Sequence, residues 1–253
     1  MIKYFFKLID VSLLIMMKIN IINHYKKIIF FAFNRYKENN YTKMRNYFTE
    51  VFVFDIHKFV DIKGKKILDV GGSTGEFSKY LNENYNCDTI NLDPYAENTV
   101  WETVRASAED IPFDADIFDI VLFRGVLEHV PNQKHQTTLN EIYRVLKKEG
   151  IAYIVIPPWF NPHAGHGLKP FHLLPFPIAK TLRNLFFKKK VNYNSLEEVS
   201  LFKTTHSKTL RNIKTSGFKV LDTKDIHLRL HFITKIPILR EILVPAVAFI
   251  AKK

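Results

Sequence analysis

The chain has 253 residues, 47% hydrophobic and 14% aromatic, which suits one well-buried α/β domain with decoration and excludes both a disordered polymer and two large domains. A single cysteine, Cys87, excludes an internal disulfide and a cysteine-only metal site, and it fits a reducing, cytoplasmic setting. The net charge of +12 predicts attraction to something anionic: a membrane surface, a phosphorylated or pyrophosphate-linked substrate, or nucleic acid.

Residues 1–60 read as a helical, amphipathic extension. Ile21, Ile22, Tyr25, Ile28, Ile29, Phe33 and Tyr36 recur at helical spacing, while Asn23, His24, Lys26, Lys27, Asn34 and Arg35 fall on other faces. Such a stripe either lies on an anionic membrane surface or packs onto the rest of the chain, and the pattern leaves both open. No transmembrane span is expected. Lys7, Asp10 and Lys18 interrupt the first apolar stretch, and residues 242–251 fall far short of the roughly 20 residues a bilayer requires. Asp10 also argues against a secretory signal.

Beyond residue 60, strands are predicted near 66–70, 88–92, 103–107, 118–123 and 150–156, with helices near 75–84 and 134–147. This alternation specifies an α/β fold with a doubly wound, Rossmann-like sheet. Residues 207–216 read as a further helix, ended by Gly217, and 218–223 as a sixth strand. The connections at 157–206 and 224–243 are long and rich in aromatics, Pro, His and Lys. They are expected to be ordered lids over an acceptor, leaving the carboxyl ends of strands where open parallel sheets bind ligands.

The chemistry starts at Ile67-Leu68-Asp69-Val70-Gly71-Gly72-Ser73-Thr74-Gly75, an apolar strand ending in Asp and a Gly-rich turn. Glycines there allow positive φ and let a nucleotide-like ligand approach the main chain, with the following helix aiming free N–H groups at it. The dinucleotide pattern G-x-G-x-x-G is not met, because the third and sixth places are Ser73 and Glu76. About 20 residues on, Asn91-Leu92-Asp93-Pro94 closes a second apolar strand, where Asp93 is placed to accept hydrogen bonds from ribose hydroxyls. Ser107-Ala108-Glu109-Asp110-Ile111-Pro112-Phe113, then Val126-Leu127-Glu128-His129-Val130-Pro131, and finally the run from Glu141 through Gly150 to Pro158 follow in order.

Together these motifs, over roughly residues 62–158, resemble the class I S-adenosylmethionine-dependent methyltransferases, in the variety that acts on quinones, lipids, glycans and small molecules. The resemblance implies a seven-stranded sheet, mostly parallel with the last strand antiparallel, and residues 246–253 suit that last strand. It implies S-adenosyl-L-methionine as cofactor, held by Asp69, Gly71, Gly72, Ser73, Gly75, Asp93, Pro94, Ala108, Glu109 and Arg124. Family members usually have a third glycine where Ser73 stands and often an acidic residue where Ser107 stands.

Methyl transfer from a sulfonium is an in-line displacement that needs alignment above all, with a base where the acceptor is a hydroxyl. His129 and His166 are the candidate catalytic residues, with Trp159 and Phe160 as an aromatic wall. His163, His166 and His172 alone do not make a metal site, since that segment contains no Asp, Glu or Cys, and none is expected. The expected acceptor is a small molecule, glycan or lipid-linked compound, with peripheral membrane association as an accompanying expectation. The positive charge keeps RNA or protein acceptors open as alternatives, but no nucleic-acid-binding module or Asn/Asp-Pro-Pro-Tyr/Phe tetrapeptide accompanies it. A non-catalytic scaffold is the third reading.

Overall fold

The computed structural model describes residues 21–34, 37 and 40–253. The expectations that rest on Lys7, Asp10, Lys18, Arg35 and Tyr36 lie outside those residues. Seven strands make one sheet in the order β3-β2-β1-β4-β5-β7-β6, mostly parallel and with β7 antiparallel to its neighbours, as expected from the resemblance. The chain divides into two compact units, Met1–Arg105 and Ala106–Lys253.

In the first unit, helices α1 (Ile21–Asn34) and α2 (Asn40–Ile56) precede β1 (Lys66–Val70), α3 (Glu76–Tyr85), β2 (Asp88–Leu92) and β3 (Thr103–Val104). The apolar stripe of α1 is not its buried face. Ile22, Ile29 and Phe33 are 61%, 60% and 82% exposed, whereas His24 and Phe31 are buried. Phe31 packs with Tyr47 and Val51 of α2, and His24 Nδ1 shares a 2.5 Å hydrogen bond with the Tyr47 hydroxyl. Helix α2 is anchored to α3 through Glu50, whose buried carboxylate accepts from Tyr80 at 2.6 Å and from Tyr85 at 2.9 and 3.0 Å. Burial and that carboxylate together push both phenols well above the usual tyrosine range. Strand β1 is buried along its apolar run, as a strand covered on both faces should be. It pairs in parallel with β2, Lys66 opposite Asp88 through Val70 opposite Leu92. Cys87 is buried on the approach to β2, its thiol donating to the Ile62 carbonyl.

Strand β3 is shorter than the predicted 103–107. Its partner β2 ends at Leu92, after which Asp93-Pro94 turns away, so Val104 is the last residue with a strand to pair with.

The second unit holds β4 (Phe118–Arg124), α4 (His135–Val145), β5 (Leu146–Ile156), α5 (Phe176–Phe186), α6 (His206–Thr215), β6 (Lys219–Asp225), α7 (Pro237–Ile242) and β7 (Val247–Lys252). Strand β5 begins directly after α4, four residues earlier than expected. Gly150 lies in an irregularity within the strand: Phe118 pairs with Leu146 but Ile120 with Ile151. Glu149 takes φ +70°, and a Cβ on Gly150 would lie 2.8 Å from the Lys147 carbonyl. Helix α6 is capped by Thr205, which accepts from the Lys208 N–H, and is followed by Gly217 at φ +98°. The two long connections are ordered. Residues 157–206 contain α5 and three 3₁₀ turns, with Leu168, Ala179 and Val191 forming a small core of their own, and 224–243 contain a 3₁₀ turn and α7.

Candidate cofactor and acceptor sites

The Gly-rich turn has the backbone the sequence called for. Gly71, Ser73 and Gly75 take φ of +74°, +57° and +87°. Two glycines are further required by contact: a Cβ on Gly72 would meet Asn91 Oδ1 at 2.1 Å and Asp69 Oδ2 at 2.5 Å, and one on Gly75 would meet Trp101 Cβ at 2.8 Å. Asp69 is thus buried directly beneath the turn.

Three side chains pin this turn. Asp93 accepts the Ser73 N–H at 2.9 Å through Oδ2 and the Tyr95 N–H at 2.9 Å through Oδ1, so it braces the turn while remaining partly exposed beside exposed Pro94. Asn91, fully buried, donates to the Ser73 carbonyl at 2.8 Å and to Thr103 Oγ1 at 2.9 Å. Arg45 of α2 donates to the Gly72 carbonyl at 2.7 Å and pairs with Glu76 at 3.0 Å, and Glu76 also accepts from the Thr74 hydroxyl. Sequence reasoning missed Arg45 and the role of Asn91. Neither belongs to the Gly-rich motif, and Arg45 arrives from a helix 27 residues upstream.

In the second unit, Ala108 is buried, and Glu109 forms a 2.8 Å ion pair with Lys134. Glu141 and Arg144 of α4 hold this segment: Glu141 accepts the Ile111 N–H, and Arg144 donates to the carbonyls of Ile111 and Phe113 while pairing with Glu141. That pairing keeps the Glu141 carboxyl below the usual range. Arg124 closes β4 opposite Val155.

Just beyond β4 the structure brings together Glu128, His129 and His166. Their ligating atoms all lie within 4.8 Å of one another, and the two imidazoles meet edge to face with centroids 4.9 Å apart. Burial pushes the Glu128 carboxyl up to about 7. Packing around the His166 ring, with His129 beside it, pushes that imidazole down to about 4 although part of the residue is exposed. His129 Nδ1 faces the Ser200 carbonyl at 2.8 Å. The expected aromatic wall is arranged otherwise: Trp159 is buried edge-on against His172, which hydrogen-bonds its carbonyl, and Phe160 is exposed with Lys203 over its ring. Trp159 thus serves the connection's own packing. Glu128 was the residue missing from the metal argument, because its carboxylate lies 38 positions before His166.

Residues 68–154 match the family model described as a methyltransferase domain. An uncharacterised methyltransferase of Mycobacterium tuberculosis is 31% identical over 193 residues, which cover 72% of this chain and 74% of that one. Two solved S-adenosylmethionine-dependent methyltransferases share the fold. The one from Mesorhizobium loti has TM-score 0.52 at 16% identity, covering 79% of this chain and 97% of that one. The other, from Archaeoglobus fulgidus, has TM-score 0.51 at 18% identity, covering 81% and 94%. The chain belongs to the class I S-adenosylmethionine-dependent methyltransferase family.

Proposed function

We propose that this enzyme methylates a hydroxyl group on a small-molecule, glycan or lipid-linked acceptor. Asp69, Gly71, Gly72, Ser73, Gly75, Asp93, Pro94, Ala108, Glu109 and Arg124 serve the cofactor, and His129 and His166 activate the acceptor. Residues 61–253 act as the catalytic domain, with 157–206 and 224–243 as its lids and 1–60 as an extension. In the reaction the S–CH₃ bond of S-adenosylmethionine breaks as the O–CH₃ bond forms, the hydroxyl proton leaves, and S-adenosylhomocysteine is released. The observation that carries the hydroxyl reading is the pair of imidazoles 4.9 Å apart beside a buried carboxyl, since a hydroxyl, unlike an already nucleophilic amine or thiolate, needs help to lose its proton.

Exposed apolar side chains next to lysines favour an acceptor at a lipid surface. On α1, Ile22, Ile29 and Phe33 are exposed along with Lys26 and Lys27. Around α5, Ile178, Leu185, Phe186 and Phe187 are exposed ahead of the basic run Lys188-Lys189-Lys190. Among the described residues no helix is long and apolar enough to cross a membrane. Peripheral docking through these faces is therefore part of the proposal.

Purified enzyme given methyl-labelled S-adenosylmethionine and an extract of its own cells should place label in the organic-solvent, glycan or soluble small-molecule fraction. Label following RNA or protein would replace this reading by the alternative acceptor class.

A further inference from the structure

We propose that Glu128, His129 and His166 form a binding site for one divalent transition cation, of the Mn²⁺, Fe²⁺ or Zn²⁺ class, open on the side from which an acceptor hydroxyl would approach. The role of that ion in methyl transfer rests on the hydroxyl reading above; its binding does not.

Geometry comes first. The three donor atoms lie within 4.8 Å of one another. Ions with bonds of about 2.0–2.2 Å to nitrogen and oxygen hold neighbouring ligands about 3–3.6 Å apart, so side-chain rotations that draw the three donors inward complete the site. Two turns place the donors independently. Glu128 and His129 belong to the 3₁₀ turn Leu127–His129 after β4, and His166 opens the 3₁₀ turn His166–Leu168 with a left-handed φ of +46°. A non-glycine residue in that conformation is strained and persists where its surroundings hold it.

Glu128 supplies an observation that points to a ligand. The side chain is 4% exposed, and its Oε2 is buried without a hydrogen-bond partner among the described residues. A buried carboxylate oxygen in that position is costly unless a cation or a donor meets it. Gly125, at φ +65°, turns the chain between β4 and this cluster.

His129 is oriented as a ligand. A carbonyl oxygen only accepts, so the 2.8 Å contact with Ser200 requires the proton on Nδ1 and makes Nε2 the nitrogen through which a cation would be bound. Backbone carbonyls commonly fix metal-binding histidines in this way. The Ser200 segment is itself tied to the cluster, because the Phe202 N–H donates to the Glu128 carbonyl at 2.7 Å.

Two imidazoles and one carboxylate select borderline transition cations over Mg²⁺ and Ca²⁺, which prefer oxygen ligands. Three protein ligands leave coordination positions open for water or an acceptor hydroxyl. An ion held there would supply Lewis acidity, lowering the pKa of an acceptor hydroxyl so that its proton would pass to solvent as the O–CH₃ bond forms and the S–CH₃ bond breaks.

The test uses full-length enzyme stripped with a chelator and titrated with Mn²⁺, followed by electron paramagnetic resonance of the free ion, and with Zn²⁺, followed by calorimetry. No acceptor is added, so the result is independent of what the enzyme methylates. Wild type should bind one equivalent, and His166→Ala and Glu128→Gln should each weaken binding more than about tenfold. His166→Ala alters a partly exposed side chain and serves where Glu128→Gln fails to fold. Absence of Mn²⁺ and Zn²⁺ binding at millimolar concentration, or equal binding in wild type and His166→Ala, would overturn the site. A cofactor titration of the same stripped samples should give the same S-adenosylmethionine affinity for wild type and His166→Ala; parallel loss of cofactor and metal binding would show general collapse of the fold and overturn the assignment of His166 as a ligand.

Discussion

The guanidinium of Arg45, on helix α2, donates to the carbonyl of Gly72 at 2.7 Å and so ties down the Gly-rich turn from a helix that precedes the sheet. The same group pairs with Glu76 in the first turn of α3, where a carboxylate also complements the helix terminus. Removing it, as in Arg45→Met, frees the turn proposed to hold the cofactor. S-adenosylmethionine affinity should fall by about 1–2 kcal/mol, or roughly 5- to 30-fold, in a folded protein. Calorimetric titration checks this, and unchanged affinity would make Arg45 a purely structural clamp.

Asp93 has two tasks, bracing Ser73 and Tyr95 and, in the proposed reading, holding the ribose. Asp93→Ala should weaken cofactor binding by about 1.5–3 kcal/mol through loss of charge-assisted hydrogen bonds. A variant that melts normally and binds as well as wild type would take Asp93 out of the site.

Two glycines separate contact from backbone strain. Gly72→Ala sets a methyl group 2.1 Å from Asn91 Oδ1, so cofactor binding should be lost and the melting temperature should drop. Gly64→Ala meets nothing within 4 Å and suffers only its φ of +70°, a cost of about 1–2 kcal/mol in stability with cofactor affinity retained. Thermal melts and cofactor titrations of the pair provide the comparison. Equal behaviour would show that the contact at Gly72 relaxes.

His206 should make the fold acid-sensitive. Its ring is buried 4.8 Å from Phe249, neither ring nitrogen has a hydrogen-bond partner among the described residues, and burial with Arg240 nearby outweighs Glu241 to push it down to about 4. Between about 4 and the unfolded value of about 6.5 the unfolded chain binds the extra proton. The stability is therefore fully present above 6.5 and is lost as pH falls towards 4, by up to about 1.4 kcal/mol per pH unit. His206→Leu should hold or raise the melting temperature at pH 7 and flatten its dependence on pH in that window. A slope unchanged by the substitution would assign the acid sensitivity to other histidines, such as His135 and His172, which burial also shifts down.

The elements that were legible in the sequence share one physical trait: their signal is local. Strand β1 is a short, largely apolar segment ended by a Gly-rich turn, and α6 lies between a Thr cap and Gly217, so each could be read from neighbouring residues alone. Strand β3 was overestimated because its length is set by where β2 stops. Helix α1 was read from its apolar stripe, yet its burial was decided by Tyr47, which meets the His24 and Phe31 side rather than the more apolar stripe.

The sequence by itself determined the sheet, the Gly-rich turn and the order of motifs that define the family, because apolar periodicity and glycine placement act over a few residues. Tertiary structure alone decided that Arg45 and Asn91 hold that turn and that Glu128 shares a cluster with His129 and His166. The contacts of Asn91 with Ser73, of Arg45 with Gly72 and of Glu128 with His166 join residues 18 to 38 positions apart, and the strength of a hydrogen bond or an ion site depends on the distance between atoms, which the spacing of residues along a chain does not specify.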